Sequence, residues 1–222
     1  MVLEMQTILT QDLREKYPES IFGALIIRNV PNMKIHEALE TRKRALERRI
    51  RELFVDMNTD SMIKYYNTYF KIWGKIYPIE YQINTIKSGG KFPQVSVLVD
   101  SMFLAELNNR ILTSGHNLDE IQGDLVFDVS KGGERYLKLN GKEQELKKDD
   151  ILLKDEEGIL ASIIYGPARR TSISSKTKNA LYYAWCPYTL DEETILAHLK
   201  EILINLNNIF ESVASKTQLF RS

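Results

Sequence analysis

One cysteine, Cys186, stands among 222 residues. A lone thiol can form neither an internal disulfide nor a multi-thiolate metal site, and it points to a reducing compartment. No excess charge is present: 30 Lys and Arg balance 30 Asp and Glu. That counts against a protein whose main task is gripping phosphate backbones, which needs a net basic surface. Long apolar runs are missing too, and no stretch approaches ~18 residues, so no membrane span is expected. The opening MVLEMQTILTQDLREKYPE breaks its apolar residues with Glu4, Asp12, Arg14 and Glu15, so no signal-type segment is read there. Glycine (11) and proline (6) are sparse, which excludes collagen-like or linker-like sequence. The expectation is a cytoplasmic, soluble chain, with 43% hydrophobic residues to build its core.

What is present reads as helices, then hairpin-type strands, then a helix. Residues 20–30, SIFGALIIRNV, form an apolar strand ending at Pro31. Residues 34–54 repeat apolar positions at helical spacing (Ile35, Leu39, Leu46, Ile50, Leu53). A second helix is expected over 60–75, with Ile63, Tyr66, Phe70 and Trp73 on one stripe, and a third over 97–112, ended near Gly115 with His116 in a loop. Strands follow at 124–129, 136–139, 151–153, 159–165 and 180–185, with Asn140-Gly141 as a hairpin turn. A helix at 191–212 has Asp191, Glu192 and Glu193 at its first turn. The order indicates α+β rather than alternating βαβ.

The residues offer little standard catalytic machinery. His36, His116 and His198 lack metal-ligand spacing, so no metal and no cofactor are expected. There is no phosphate-binding glycine loop and no Gly-x-Ser-x-Gly elbow. Cys186, after an apolar strand, reads as a buried structural thiol. Arg42, Arg44, Arg48 and Arg49 lie on a basic helix that could contact phosphates, although Glu40–Arg44 and Glu47–Arg51 pairing on a solvated face is the plainer expectation. The aromatics Tyr65, Tyr66, Tyr69, Phe70, Trp73, Tyr77 and Tyr81 recur at helical spacing and read as packing more than as base-stacking. Polar clusters remain at Asp100, at Thr113–Asn117 and at Tyr165–Thr171, where Arg169-Arg170 is equally compatible with surface charge and with function.

These clusters fall within a longer pattern. It runs through Leu-Val-Asp100, Gly115-His116-Asn117 with Leu118-Asp119 after it, Gly133-Glu134-Arg135-Tyr136 and Leu139-Asn140-Gly141. It continues through Asp149-Asp150-Ile151, Asp155-Glu156-Glu157-Gly158 and Tyr165-Gly166-Pro167-Ala168-Arg169-Arg170-Thr171. In this order the pieces resemble the editing region of the phenylalanyl-tRNA synthetase beta subunit and its freestanding relatives. The match is strongest over 92–187. The resemblance implies one editing-like α+β domain over 1–222, with two sheet layers plus a helical layer. It also implies a role hydrolysing a wrongly esterified amino acid on tRNA, acting in trans.

In that reading His116 and Thr171 lie near the ester, and Arg170 lies on a phosphate or carbonyl. Asp100 and Glu134 take the substrate ammonium, while Tyr136 and Tyr165 form the pocket wall. The partner is an aminoacylated tRNA end or a free amino acid, with no membrane and no DNA. The alternatives are a non-catalytic RNA-binding module using Arg42, Arg44, Arg48 and Arg49, or an amino-acid-binding protein that keeps the pocket. Two departures stand out. The family's Pro-Leu-His-Ala-Phe-Asp turn is Thr113-Ser114-Gly115-His116-Asn117 here, with its histidine falling on Ser114. The acid that helps read a tyrosine hydroxyl has no counterpart in Pro167–Arg170, so tyrosine specificity does not carry over.

Overall fold

In the computed structural model, which describes residues 5–52 and 59–222, the elements begin with a short strand, β1 (Thr7–Leu9), and a helix, α1 (Gln11–Lys16). The apolar run read as an early strand is β2 (Ile21–Arg28). The helices α2 (Glu37–Glu52), α3 (Ser61–Phe70), α4 (Pro78–Lys87) and α5 (Val97–Asn109) follow. Leu53, expected on the α2 stripe, lies outside the described residues. The second half holds β3 (Thr113–Asn117), β4 (Leu125–Val129), β5 (Arg135–Leu137), β6 (Glu143–Glu145), β7 (Ile151–Asp155), β8 (Gly158–Ser162), β9 (Gly166–Pro167) and β10 (Ala180–Cys186). α6 (Glu192–Asn207) and β11 (Ala214–Arg221) end the chain.

Two sheets and a helical layer build the α+β architecture. One sheet has the order β1-β4-β7-β8-β9 and the other β11-β2-β10-β3, while β5 and β6 form a separate hairpin. Strand alternation in the second sheet decides what each face meets. From β10, the even-numbered Tyr182 reaches the helices, its hydroxyl donating to Leu98 O of α5 at 3.0 Å. The odd-numbered Tyr183 and Trp185 face the first sheet, where Trp185 meets Phe127 edge-on with centroids 5.2 Å apart. From β2, Phe22 stacks on Phe127 at 4.0 Å. Gly23 points the other way; a Cβ there would sit 2.6 Å from Ile195 and 2.9 Å from Leu199 of α6. That glycine is what lets α6 lie on the sheet. The aromatic stripe of α3 closes one end: Tyr66 donates to Trp185 O at 2.9 Å and Tyr69 to Asp150 at 2.8 Å. Tyr81 is exposed and takes no part in this packing.

The closing helix, expected over 191–212, ends at Asn207 and is followed by β11, and the segment around His116 differs in kind. There α5 was expected to run to 112 and end at Gly115, with His116 in a loop. It ends instead at Asn109, capped by Arg110 in the left-handed region (φ 58). Residues 113–117 are a strand, paired antiparallel with β10. Gly115 serves close approach rather than capping, since a Cβ there would sit 3.0 Å from Ile173 and 3.1 Å from the Met102 sulfur.

Candidate functional site

β3 leads into a loop, 118–124, that carries the chain from the second sheet to the first. Its position is set by a buried carboxylate. Asp155, at the end of β7, accepts from Gln122 N (2.9 Å), Glu157 N (2.9 Å), Gly158 N (3.1 Å) and Arg170 Nη2 (2.6 Å). Arg170 also donates to Glu120 O at 2.9 Å and pairs with Glu157 at 3.3 Å. Glu156 N donates back to Gln122 O at 3.1 Å. Asp155 thus ties three segments distant in sequence, namely the loop, the β7–β8 turn and the segment after β9.

Two of these segments, the loop and the β7–β8 turn, line a cleft of about 750 Å³ at the open edge between the two sheets. Asp119, Asp124 and Glu156 are their acids in it. Arg28 of β2 and Lys216 of β11 line it as well. Met5, Ile26, Leu118 and Ile121 supply the apolar floor. Asn179 fixes Asp119 at 2.8 Å, and Asp124 accepts from Gln6 N at 2.9 Å. The size is that of small-molecule sites, and convergent polar groups over an apolar base are their usual form. Sequence reasoning did not select the cleft residues. The one signal was indirect, since Leu118-Asp119 and Asp155–Gly158 are among the motif pieces quoted above.

The structure joins some of the expected site residues and separates others. His116 and Thr171 are bonded to each other, Nδ1 to Oγ1 at 2.9 Å, and both are fully buried. The other ring nitrogen meets Ser114 Oγ at 2.9 Å, which also accepts from Trp185 Nε1 at 2.9 Å. Arg170 lies close enough for its charge to act on the ring. These three residues therefore sit together, His116 and Thr171 with their polar atoms enclosed and Arg170 partly exposed at the surface. Asp100 does not join them. It meets an ammonium from its own chain, Lys43 Nζ at 2.8 Å, and its second oxygen accepts from Val95 N at 2.9 Å. Glu134 is occupied in its own turn by Ser130 Oγ (2.6 Å) and Lys131 N (2.7 Å). Tyr136 and Tyr165 do share a small cluster, packed with Leu146, Leu152 and Ala168, and Tyr136 donates to Gly166 O at 2.7 Å. Cys186 is buried and unpaired, and burial pushes its thiol up to about 12.

The basic helix departs from its expected pairing. Glu47 and Arg51 pair at 3.7 Å, but Glu40 turns to the buried Lys43 at 2.7 Å rather than to Arg44. Arg49 meets Asn108, and Arg44 meets Thr41 at 3.3 Å.

Four buried groups give stability a pH dependence. Burial pushes Glu106 up to about 8 and Asp150 up to about 7, against the hydrogen bonds each accepts. Burial also pushes His116 down to about 4, helped by the Arg170 charge, and His198 down to about 3. The folded chain holds extra protons on the carboxyls, so their contribution is lost as pH rises from the ordinary carboxylate range through 8. It holds fewer on the histidines, so theirs is lost as pH falls below 6.5. Between about pH 6.5 and 8.5 the two carboxyls dominate. Thermal melts should therefore show stability falling by about 2 kcal/mol between about pH 6.5 and 8.5, a drop of roughly 4–8 °C. Glu106→Gln should remove most of that slope, and a flat or rising wild-type profile would refute the assignment.

Three findings set the chain beside known proteins. The B3/4 domain family profile matches residues 79–215. The phenylalanine–tRNA ligase beta subunit of Mycoplasma genitalium (strain ATCC 33530 / DSM 19775 / NCTC 10195 / G37) is 29% identical over 90 residues, covering 40% of this chain and 11% of that protein. An N-terminal fragment of the phenylalanyl-tRNA synthetase beta subunit from Pyrococcus horikoshii matches with a TM-score of 0.51 and 12% identity, over 96% of this chain and 50% of that one. At that identity the structural likeness is one of fold. The chain spans about a tenth of the ligase subunit and about half of the fragment. Among the described residues, no helix is long and apolar enough to cross a membrane.

Proposed function

Because the chain belongs to the B3/4 domain family, we propose that it hydrolyses a wrongly attached aminoacyl ester on tRNA, acting in trans. The observation that carries this reading is the cleft that brings acidic, basic and apolar side chains together. An aminoacyl ester presents an ammonium, a polarisable carbonyl and a ribose-phosphate anion within one small group. Asp119 and Asp124 suit the ammonium, Arg28 the carbonyl or phosphate, and Met5, Ile26, Leu118 and Ile121 the side chain. Water adds to the carbonyl, the bond to the ribose oxygen breaks, and a free amino acid and a tRNA hydroxyl leave. No covalent nucleophile is needed, because orientation of the water and stabilisation of the developing oxyanion supply the rate. Glu156, exposed in the same cleft, is the carboxylate we assign to take the water's proton. His116, Thr171 and Arg170 act in this reading as positioning residues, and the activity is cytoplasmic.

A second reading, amino-acid binding without turnover, is favoured by the sealed His116–Thr171 pair. A deacylation assay over a panel of mischarged tRNAs, including tyrosine on the phenylalanine tRNA, separates the two. Hydrolysis above the buffer rate for at least one is expected, falling about 10²-fold in Arg28→Ala. No hydrolysis of any of them sinks the deacylase. Amino-acid binding in a calorimetric titration would then leave the second reading standing.

A further inference from the structure

We infer that the outer face of α2 is a docking surface for the phosphate backbone of RNA. The helix buries Leu39, Lys43, Leu46 and Ile50 on one side. Its opposite side over the central two turns presents Thr41, Arg42, Arg44, Ala45, Arg48 and Arg49. The carboxylates that would neutralise these arginines are spent elsewhere. Glu40 is drawn inward by the buried Lys43. Glu47 accepts from Phe92 N at 2.5 Å and pairs with Arg51, which itself donates to Ile86 O and Gly90 O. Glu201, beside Arg42 and Arg49 in a shallow groove, receives the side-chain amides of Asn108 and Asn109. Glu37 and Glu52 remain only at the helix ends. Four guanidinium groups therefore stand over about 10 Å of helix without a carboxylate partner among the described residues.

The chemistry of this face selects its partner. All four cations are arginines, whose planar forks match phosphate oxygens. Insertion into a lipid surface would need an apolar face, but the apolar stripe of α2 is already in the core and only Ala45 is exposed on this side. The overall charge is zero, so the attraction comes from a local basic face rather than from net charge. The inference rests on the proposed tRNA reading only for the choice of RNA among polyanions.

Fluorescence anisotropy of uncharged tRNA, titrated at several salt concentrations, tests it without requiring hydrolysis. Wild type should bind with a steep salt dependence. Arg44→Gln with Arg48→Gln should lower the log–log slope by about 0.7–0.9 per lost phosphate contact and weaken low-salt affinity at least about tenfold. A circular dichroism melt unchanged from wild type confirms that the variant folds. Unchanged slope and affinity in the folded variant, or no tRNA binding by wild type, would overturn the inference. So would binding to phosphatidylserine vesicles as tight as to tRNA and lost in the same variant. Hydrolysis without this binding would leave the proposed activity intact, and binding without hydrolysis would leave this surface intact.

Discussion

Lys43→Met should destabilise the protein by about 3–5 kcal/mol, because it strands a carboxylate where water cannot reach it. Lys43 and Asp100 are 3% and 2% exposed at their side chains and 2.8 Å apart. Lys43 also holds Glu40 at 2.7 Å and lies 5.1 Å from the centre of the Phe92 ring. At this chain length the loss corresponds to a melting point lower by roughly 6–20 °C. Asp100→Asn should be milder, since an amide oxygen can still accept from Val95 N and Lys43 keeps Glu40. The double variant should recover more than half of the Lys43→Met loss, because coupling within a pair makes single losses non-additive. Melts of the four proteins close the cycle, and strictly additive losses would show that the pair does not act as one. Asp100 was expected to receive a substrate ammonium. Its own chain supplies that ammonium instead, so Asp100→Asn should alter stability before it alters any substrate affinity.

This pair also shows where the sequence was legible. The apolar rhythm of α2 was clear, and the structure follows it over the described residues. Lys43, in the middle of a run of basic residues, gave no sign of pointing inward, because its partner lies 57 positions away. The strands β2, β4, β7 and β10 could be read from short apolar runs between turn residues, and the Asn140-Gly141 turn does join β5 to β6. β3 and β11 could not. Thr113–Asn117 is polar and small, and it is a strand because Thr113, Ser114 and His116 find partners across the fold in His198, Trp185 and Thr171. Ala214–Arg221 is a mostly exposed edge strand that follows β2 along its whole length, with little apolar alternation to mark it. The grouping of the candidate residues was only partly legible for the same reason. His116, Thr171 and Arg170 stood out by residue type and do assemble. Arg28, Asp124 and Glu156 line the cleft only because two sheets bring distant turns together.

Asp155→Ala should be comparably damaging, at about 3–5 kcal/mol, and should change the cleft as well as the melting point. It removes the acceptor of three backbone amides and one guanidinium, all converging on a carboxylate whose side chain is fully buried. The loop at 118–124 then loses its tie to the β7–β8 turn, and Asp119 and Glu156 lose their common frame. Arg170→Met makes the sharper comparison. Arg170 is 29% exposed at its side chain, and without it Asp155 still accepts three amides, so the expected loss is about 1–2 kcal/mol. A group that touched the ester would abolish turnover while leaving the melt unchanged. A residue that works by holding the loop instead lowers the melting point, and substrate affinity falls with it while the rate at saturation is largely kept. Melting points and a separated KM and kcat for Arg170→Met decide between the two, and lost kcat at an unchanged melting point would put Arg170 back at the ester.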